Sequence, residues 1–339
     1  MGRPPETPLE LPTNLAAAAR REGRDGWLAL LPRLVDEATD RWSLSLAPPF
    51  QPGGVTAWVA PARDATGRDL VVKLVWPHED AAHEAAGLRA WDGHGAVRLH
   101  DAARLDGAEA LLLERCRPGH ALSARPEPEQ DVVVADVLRR LWRAPVANVD
   151  RGGADGDGGR GGGGCGDGAG SRSGTSFDND DAERDRGAGA DCSASFPTLG
   201  AMCARWADEF DAHMAAGRCP LDPGLARAGI ALYRELPATA DRRVLLATDL
   251  HAGNVLAAGR SPWLAIDPKP HVGDPTYDAV QHILNCDERL HADPTALCDR
   301  MADLLDLDAH RLRLWVFARC VQESPEWPGL AEVAPRLAP

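Results

Sequence analysis

The stretch Val244-Leu245-Leu246-Ala247-Thr248-Asp249-Leu250-His251-Ala252-Gly253-Asn254-Val255-Leu256, with its continuation Trp263-Leu264-Ala265-Ile266-Asp267-Pro268-Lys269, decides how the chain is read. Two short apolar runs, Val255-Leu256-Ala257-Ala258 and Pro262-Trp263-Leu264-Ala265-Ile266, are joined by Gly259-Arg260-Ser261, a spacing that predicts a β-hairpin. A hairpin returns the chain on itself, so Asn254 at its entry and Asp267 at its exit come together. One amide oxygen beside one carboxylate suits a magnesium ion whose other positions go to water and phosphate. Asp249, five residues before Asn254 on the same loop, is placed to accept a hydroxyl proton. Phosphoryl transfer asks for these parts, a metal on the phosphates and a base on the attacking oxygen.

Outward from this tract, residues before 150 alternate between strand and helix signals. Trp27, Leu30, Leu31, Leu34, Val35 and Ala38 recur at helical spacing. Val55-Thr56-Ala57-Trp58-Val59, Leu70-Val71-Val72-Lys73-Leu74-Val75 and Leu111-Leu112-Leu113 read as strands, with a short helix from His83 to Trp91 between the last two. This predicts a small antiparallel sheet with one helix against it. Lys73 ends an apolar run, where a charge is costly unless it finds a partner, and Glu84 on the next helix is a suitable one. Gly53-Gly54 precedes a strand and could let a loop approach phosphate oxygens closely.

Beyond residue 195 the apolar spacing is helical. Leu199, Met202, Cys203, Trp206, Phe210 and Met214 trace one face, and 225–236, 279–286, 296–305 and 312–321 predict further helices. A sheet-rich first part and a helical second part give an α+β fold with two lobes: residues 1–115 as the N-lobe, and 116–339 as the C-lobe. Within the C-lobe, residues 150–195 are dominated by Gly, Asp, Arg and Ser, and read as a disordered insertion that could bury almost nothing.

Composition excludes several classes. The net charge of −14 disfavours nucleic acid and anionic lipid and favours cationic solutes. No apolar run approaches the ~20 residues of a bilayer span, and the first dozen residues lack a secretory core. These features predict a soluble, cytoplasmic protein. The eight cysteines are scattered, with no Cys-x-x-Cys pair, so neither a disulfide framework nor a zinc site is indicated.

Asp249-Leu250-His251-Ala252-Gly253-Asn254-Val255-Leu256, Ile266-Asp267-Pro268-Lys269-Pro270 and Gly273-Asp274-Pro275-Thr276-Tyr277-Asp278 together resemble the aminoglycoside phosphotransferase family, within its streptomycin 6-kinase and hydroxyurea phosphotransferase group. His83 to Gly93 and Leu111 to Gly119 resemble the same family, so the likeness spans roughly 25–145 and 196–322. It implies a protein-kinase-like two-lobed fold, ATP and Mg2+. Asp249 would be the catalytic base, Asn254 and Asp267 the metal ligands, and Lys73 with Glu84 the pair that holds the α- and β-phosphates. Glu114 to Cys116 would form the inter-lobe strand whose backbone binds adenine. The acceptor implied is a small hydroxylated, cationic molecule, an aminocyclitol antibiotic such as streptomycin, with hydroxyurea or a metabolite as the alternative. One departure stands out: where many relatives read His-Gly-Asp, this chain has Ala247-Thr248-Asp249.

Other residues receive plainer readings. His251 packs the loop, Asp274 caps a helix or braces a loop, and Asp278, Asp287 and Glu288 are exposed helix-end carboxylates or line a cationic-substrate pocket. A two-metal phosphoesterase would need more histidine and carboxylate ligands than His271 and His282 supply. A nucleotide-binding protein that transfers nothing would be expected to lose some of Lys73, Glu84, Asp249, Asn254 and Asp267, yet all are present. A protein kinase would need a long activation segment, and Asp267 leads directly to Gly273-Asp274-Pro275.

Overall fold

The structure is a computed structural model that describes residues 9–78, 81–145 and 196–339. The expected insertion at 150–195 lies outside the described residues.

The first part is built on five antiparallel strands: β1 (Ser45–Leu46), β2 (Ala57–Arg63), β3 (Asp69–Val75), β4 (Leu99–Leu105) and β5 (Ala108–Glu114). Their order in the sheet is β1-β2-β3-β5-β4. Side chains alternate faces along a strand, and the sequence uses both. Leu70, Val72 and Leu74 of β3, with Ala108, Ala110 and Leu112 of β5, pack on one face against α1 (Thr13–Arg21) and α2 (Asp25–Trp42) through Leu15, Trp27, Leu31 and Leu34. Leu111 and Leu113 turn the other way, toward Leu88 and Trp91 of α3 (Ala81–Trp91). The expectation of one helix against the sheet is thus exceeded, because two N-terminal helices cover the second face. Lys73 shares the side of the sheet that faces α3.

The helical part holds α4 (Glu127–Leu141), α5 (Leu199–Ala215), α6 (Pro223–Glu235), α7 (Pro275–Asp278), α8 (Val280–Leu284), α9 (Asp287–Ala292), α10 (Pro294–Leu305), α11 (Ala309–Glu323) and α12 (Leu330–Leu337). One core runs through it, with Trp315, Phe317 and Tyr233 buried among leucines. The helix expected over 279–286 is the short α8, and a separate turn of helix, α7, precedes it with Pro275 at its start. None of the helices among the described residues is long and apolar enough to cross a membrane.

Two small ribbons carry the decisive tract. β6 (Val244–Leu246) pairs with β9 (His271–Gly273), and β7 (Val255–Ala257) pairs with β8 (Trp263–Ala265) in the expected hairpin, Val255 opposite Ala265. The hairpin is fastened outward on both sides. Val97 N donates to Ala265 O at 3.0 Å and Ala265 N to Gly95 O at 2.8 Å, while Ala257 N donates to His120 O at 3.0 Å. The α3 helix reaches the tract through a close approach: Gly87 lies so near Pro270 that a Cβ there would overlap the proline ring. Gly87→Ala is therefore expected to cost about 1–3 kcal/mol, seen as a lowered urea midpoint. An unchanged midpoint would mean that α3 can stand off Pro270 freely.

Candidate active site

Strand alternation delivers Lys73 to the face where α3 begins, and Glu84 sits in the first turn of that helix. Lys73 Nζ donates to both Glu84 carboxylate oxygens at 2.7 Å and to Asp267 Oδ1 at 2.5 Å. The lysine is only 6% exposed and the glutamate 3%. Burial works against the charge on Lys73, but Asp267 and Glu84 together outweigh it and hold its pKa above the ordinary value. The Lys73 ammonium in turn draws Asp267 below its usual value, against burial. Burial pushes Glu84 up to about 7, with Lys73 opposing. Three elements distant in sequence meet at one ammonium.

The hairpin register then links this cluster to the loop. Ile266 N donates to Asn254 O at 2.9 Å, so Asp267 follows directly on the residue facing Asn254. The Asn254 amide donates through Nδ2 to Asp249 O at 3.0 Å. That bond commits the nitrogen and leaves the amide oxygen as the atom available to a cation. An ionised carboxylate half-open to solvent and an amide oxygen are hard oxygen donors, and they fit a divalent ion of magnesium type. Asp249 Oδ2 lies 3.0 Å from Lys269 Nζ. Asp267 has φ +54° and Thr248 φ +52°, conformations that cost a non-glycine residue about 1–3 kcal/mol and persist only where the surroundings enforce them.

The enforcement around Thr248 is visible. Asp278, fully buried, accepts from Thr248 N at 2.7 Å, Ala247 N at 3.1 Å and the Trp142 indole N–H at 2.9 Å. Thr248 Oγ1 donates to Lys269 O at 2.6 Å, and His271 Nδ1 lies 3.0 Å from the same carbonyl. The histidine absent before Asp249 is thus matched by a threonine, a buried aspartate and a histidine arriving from β9. The reading of Asp278 as an exposed carboxylate or a substrate-pocket group is corrected: it is sealed inside, its oxygens taken by three N–H donors. Sequence carried one signal for this, since Asp278 is flanked by Tyr277, Ala279 and Val280, all buried.

Other expected residues fall as follows. His251 Nδ1 accepts from Gly253 N at 3.1 Å, bracing its own loop, and burial lowers its pKa. Asp274 caps α7 through Thr276 N and takes Arg311 and Trp315 on its other oxygen. Asp287 and Glu288 are exposed. Gly53, at φ +77°, lies in the turn between β1 and β2, packed against Pro12 and accepting from the Asn14 amide at 2.9 Å; Gly54 has open space around its Cα. Glu114 ends β5, its carboxylate held by Arg260 at 2.8 and 3.0 Å and by Arg98 N. Cys116 follows, and burial pushes its thiol up to about 12, so its side chain brings no thiolate chemistry.

Two features escaped sequence reading. Arg260, in the hairpin turn, also donates to Gly93 O and Ala96 O, tying the turn to the end of α3. Asp131 is a buried hub that takes His282, Arg289 and Arg300, fastening α4 to α8, α9 and α10. His282 and Cys286 lie close enough to Asp131 to suggest a metal, but both carboxylate oxygens are already spent on arginines and histidine.

Sheet, helical lobe and the Lys73–Glu84–Asp267 cluster together define a kinase-like two-lobed phosphotransferase. The sequence profile of the aminoglycoside/hydroxyurea antibiotic resistance kinases matches residues 41–149 and 191–328, and the chain belongs to that family. A streptomycin 6-kinase of Streptomyces glaucescens is 31% identical, over 93% of this chain and 90% of its own. A hydroxyurea phosphotransferase of Kitasatospora aureofaciens is 33% identical, over 93% and 77%. The solved macrolide 2'-phosphotransferase type I has the same fold, with a TM-score of 0.50 at 14% identity, over 91% of this chain and 97% of that one. Kinases of this kind use ATP and typically a divalent metal.

Burial lifts the Asp278 carboxyl from 3.8 to about 6, so folding favours its protonated form. The linked stabilisation is complete below about pH 4 and lost as pH rises through 6. Asp278→Asn is expected to flatten the stability curve over that window. It should also lower stability by about 2–4 kcal/mol, because an amide cannot accept from all three donors. Denaturation at stepped pH reads both effects, and an equal slope in both proteins would assign it to another group.

Proposed function

We propose that the chain transfers the γ-phosphoryl group of ATP to a hydroxyl of an aminocyclitol antibiotic of the streptomycin kind. One observation carries the reading: the β7–β8 register joins Asn254, Asp267 and Lys73–Glu84 in a single connected cluster, with Asp249 hydrogen-bonded to its edge through Asn254. In this reading Asn254 and Asp267 would hold Mg2+, which would supply positive charge to the phosphates. Asp249 takes the proton of the attacking hydroxyl, the new O–P bond forms, and the bond to the β-phosphate oxygen breaks to leave ADP. Lys73, fixed by Glu84, faces the α- and β-phosphates, the turn carrying Gly53 and Gly54 covers them, and the backbone of Glu114 to Cys116 takes the adenine. Residues 1–115 then act as the nucleotide lobe and 116–339 as the lobe that holds the acceptor.

The choice of acceptor leans on the streptomycin 6-kinases, 31% identical over 90% or more of both chains. The net charge of −14 suits a cationic acceptor. Purified protein incubated with ATP and Mg2+ should yield ADP and a phosphorylated product with streptomycin. Product with hydroxyurea alone would move the assignment to the other branch, and ADP formation with no acceptor in a broad panel would remove the transfer reading.

Asp249→Asn should lower kcat by about 10²-fold or more with the fold intact, since shape is kept and the proton acceptor is lost. A near-normal rate would take Asp249 out of the base role. Asp267→Ala should abolish turnover at ordinary magnesium; an unchanged magnesium dependence would place the metal elsewhere.

A further inference from the structure

We infer that Arg260 is a positioning residue for the nucleotide, the side chain that sets how far the adenine end stands from the triphosphate end; this deepens the transfer reading above and rests on it. In that reading ATP is held at two places. The backbone of Glu114 to Cys116 takes the adenine, and the foot of the β7–β8 ribbon, with Lys73, takes the phosphates. ATP has a limited reach, so both ends engage together only when the two places keep a matching separation.

One side chain joins them. Arg260 lies in the turn of the ribbon, and its Nε and Nη2 donate to the two oxygens of Glu114 at 3.0 and 2.8 Å. Nη1 donates to Gly93 O at 2.7 Å, and Nη2 also reaches Ala96 O at 3.2 Å. These four hydrogen bonds from one planar group fix its orientation, which a lysine could not reproduce. Gly93 makes the room: at φ +79° and without a side chain it lets Arg98 and Arg260 lie across it, where a Cβ would stand 2.8 Å from Arg98 Cγ. Glu114 is gripped from its other side as well. Its carboxylate accepts from Arg98 N at 3.0 Å, and its own N donates to Arg98 O at 2.9 Å. Burial works against the charge on Glu114, yet Arg260 and the Arg98 amide outweigh it and keep the carboxyl below its usual range.

The rest of the ribbon is anchored independently. Arg140 of α4 donates from Nη1 to Ser261 Oγ at 2.9 Å and from Nη2 to Trp263 O at 3.2 Å, which ties the turn to the helical core. Past β5, Gly119 N donates to Ala257 O at 2.9 Å and Ala257 N to His120 O at 3.0 Å. The segment from Glu114 to Gly119 is thus pinned to the ribbon at both ends, by Arg260 at the first and by Ala257 at the second. Without Arg260 one pin remains, and the adenine backbone can pivot while Asn254 and Asp267 keep their places. Each half of the nucleotide still finds its contacts, but the two halves no longer find them together.

That distinction sets the test, made on the full chain with adenosine, Mg·tripolyphosphate and Mg·ATP as probes. Arg260→Met should bind Mg·ATP about tenfold more weakly (about 1.4 kcal/mol). Adenosine and Mg·tripolyphosphate should keep their wild-type affinities, because each meets one place only. Arg260→Lys, which keeps the charge but loses the fork, should recover part of the loss. Glu114→Gln keeps the shape and one accepting oxygen, so it should show a smaller loss of the same kind. The double variant of Arg260→Met with Glu114→Gln should lose no more than Arg260→Met alone. Should Arg260→Met fail to fold, Arg260→Lys and Glu114→Gln carry the comparison. A side chain that merely stabilised the fold would weaken all three probes equally or lower the melting temperature alone. Either result overturns the inference, as does a wild type that takes no adenosine. Wild-type protein that binds Mg·ATP but phosphorylates no acceptor would sink the transfer reading, and the three-probe comparison would still judge Arg260.

Discussion

A lysine ammonium inside an apolar strand is affordable only when more than one carboxylate comes to it, and that condition organises the molecule. Lys73 is buried, and desolvation of a lone ammonium there would cost several kcal/mol. Glu84 alone would make a neutral pair, but one that a helix could form without reference to the rest of the chain. Adding Asp267 forces the hairpin exit, 194 residues further along, to meet both. Everything that positions that exit serves the same end: Gly87 admitting Pro270, Ala265 sewn to Gly95 and Val97, and Arg260 binding the hairpin turn to Glu114. With both carboxylates ionised the cluster carries one net negative charge.

The loop from Ala247 to Asn254 shows a second constraint, met by different means. A turn through Thr248 in the left-handed region lets Asp249 N reach Ala247 O at 2.7 Å. Such a turn relaxes unless its amides are held, and here the holder is a buried carboxylate facing three donors. Burial disfavours the charge on Asp278 while its three donors favour it, and burial outweighs them. The missing upstream histidine is no loss under this arrangement. Thr248 uses its own hydroxyl to reach across to Lys269 O, and His271, opposite Leu246 in the β6–β9 ribbon, reaches the same carbonyl.

Much of this was legible because it is local. The hairpin follows from two apolar runs and a polar turn, and Lys73 with Glu84 from one misplaced charge and one nearby acid. After residue 195, α5, α6, α8, α10 and α11 announced themselves by period, and the shorter α7, α9 and α12 did not. What escaped was set by distance in sequence. Nothing in Val244-Leu245-Leu246 says that it pairs with His271, and nothing near Asp278 says that its oxygens close on residues some thirty positions earlier. Helix α4 was hidden by its own composition: Val132-Val133-Val134 reads as strand, and only packing of Val134, Val137, Leu138 and Leu141 on the helical core selects a helix. Arg260 looked like an ordinary turn residue, since its partners at Gly93, Ala96 and Glu114 lie in the other part of the chain.

Arg260 also settles how the two parts of the chain act on each other. Its guanidinium spans the hairpin turn, the end of α3 and the end of β5, while Gly119 and His120, a few residues past β5, bond to Ala257 on the other edge of the same hairpin. The β7–β8 ribbon is therefore built into both lobes and cannot follow one without straining the other. Asn254 and Asp267 stand at the base of that ribbon, so their spacing is insulated from movements of the five-stranded sheet as a whole. The Lys73–Asp267 bond extends the same body to the middle of the sheet. Side chains that must keep a fixed mutual geometry gain from having their rigid frame cross the lobe boundary.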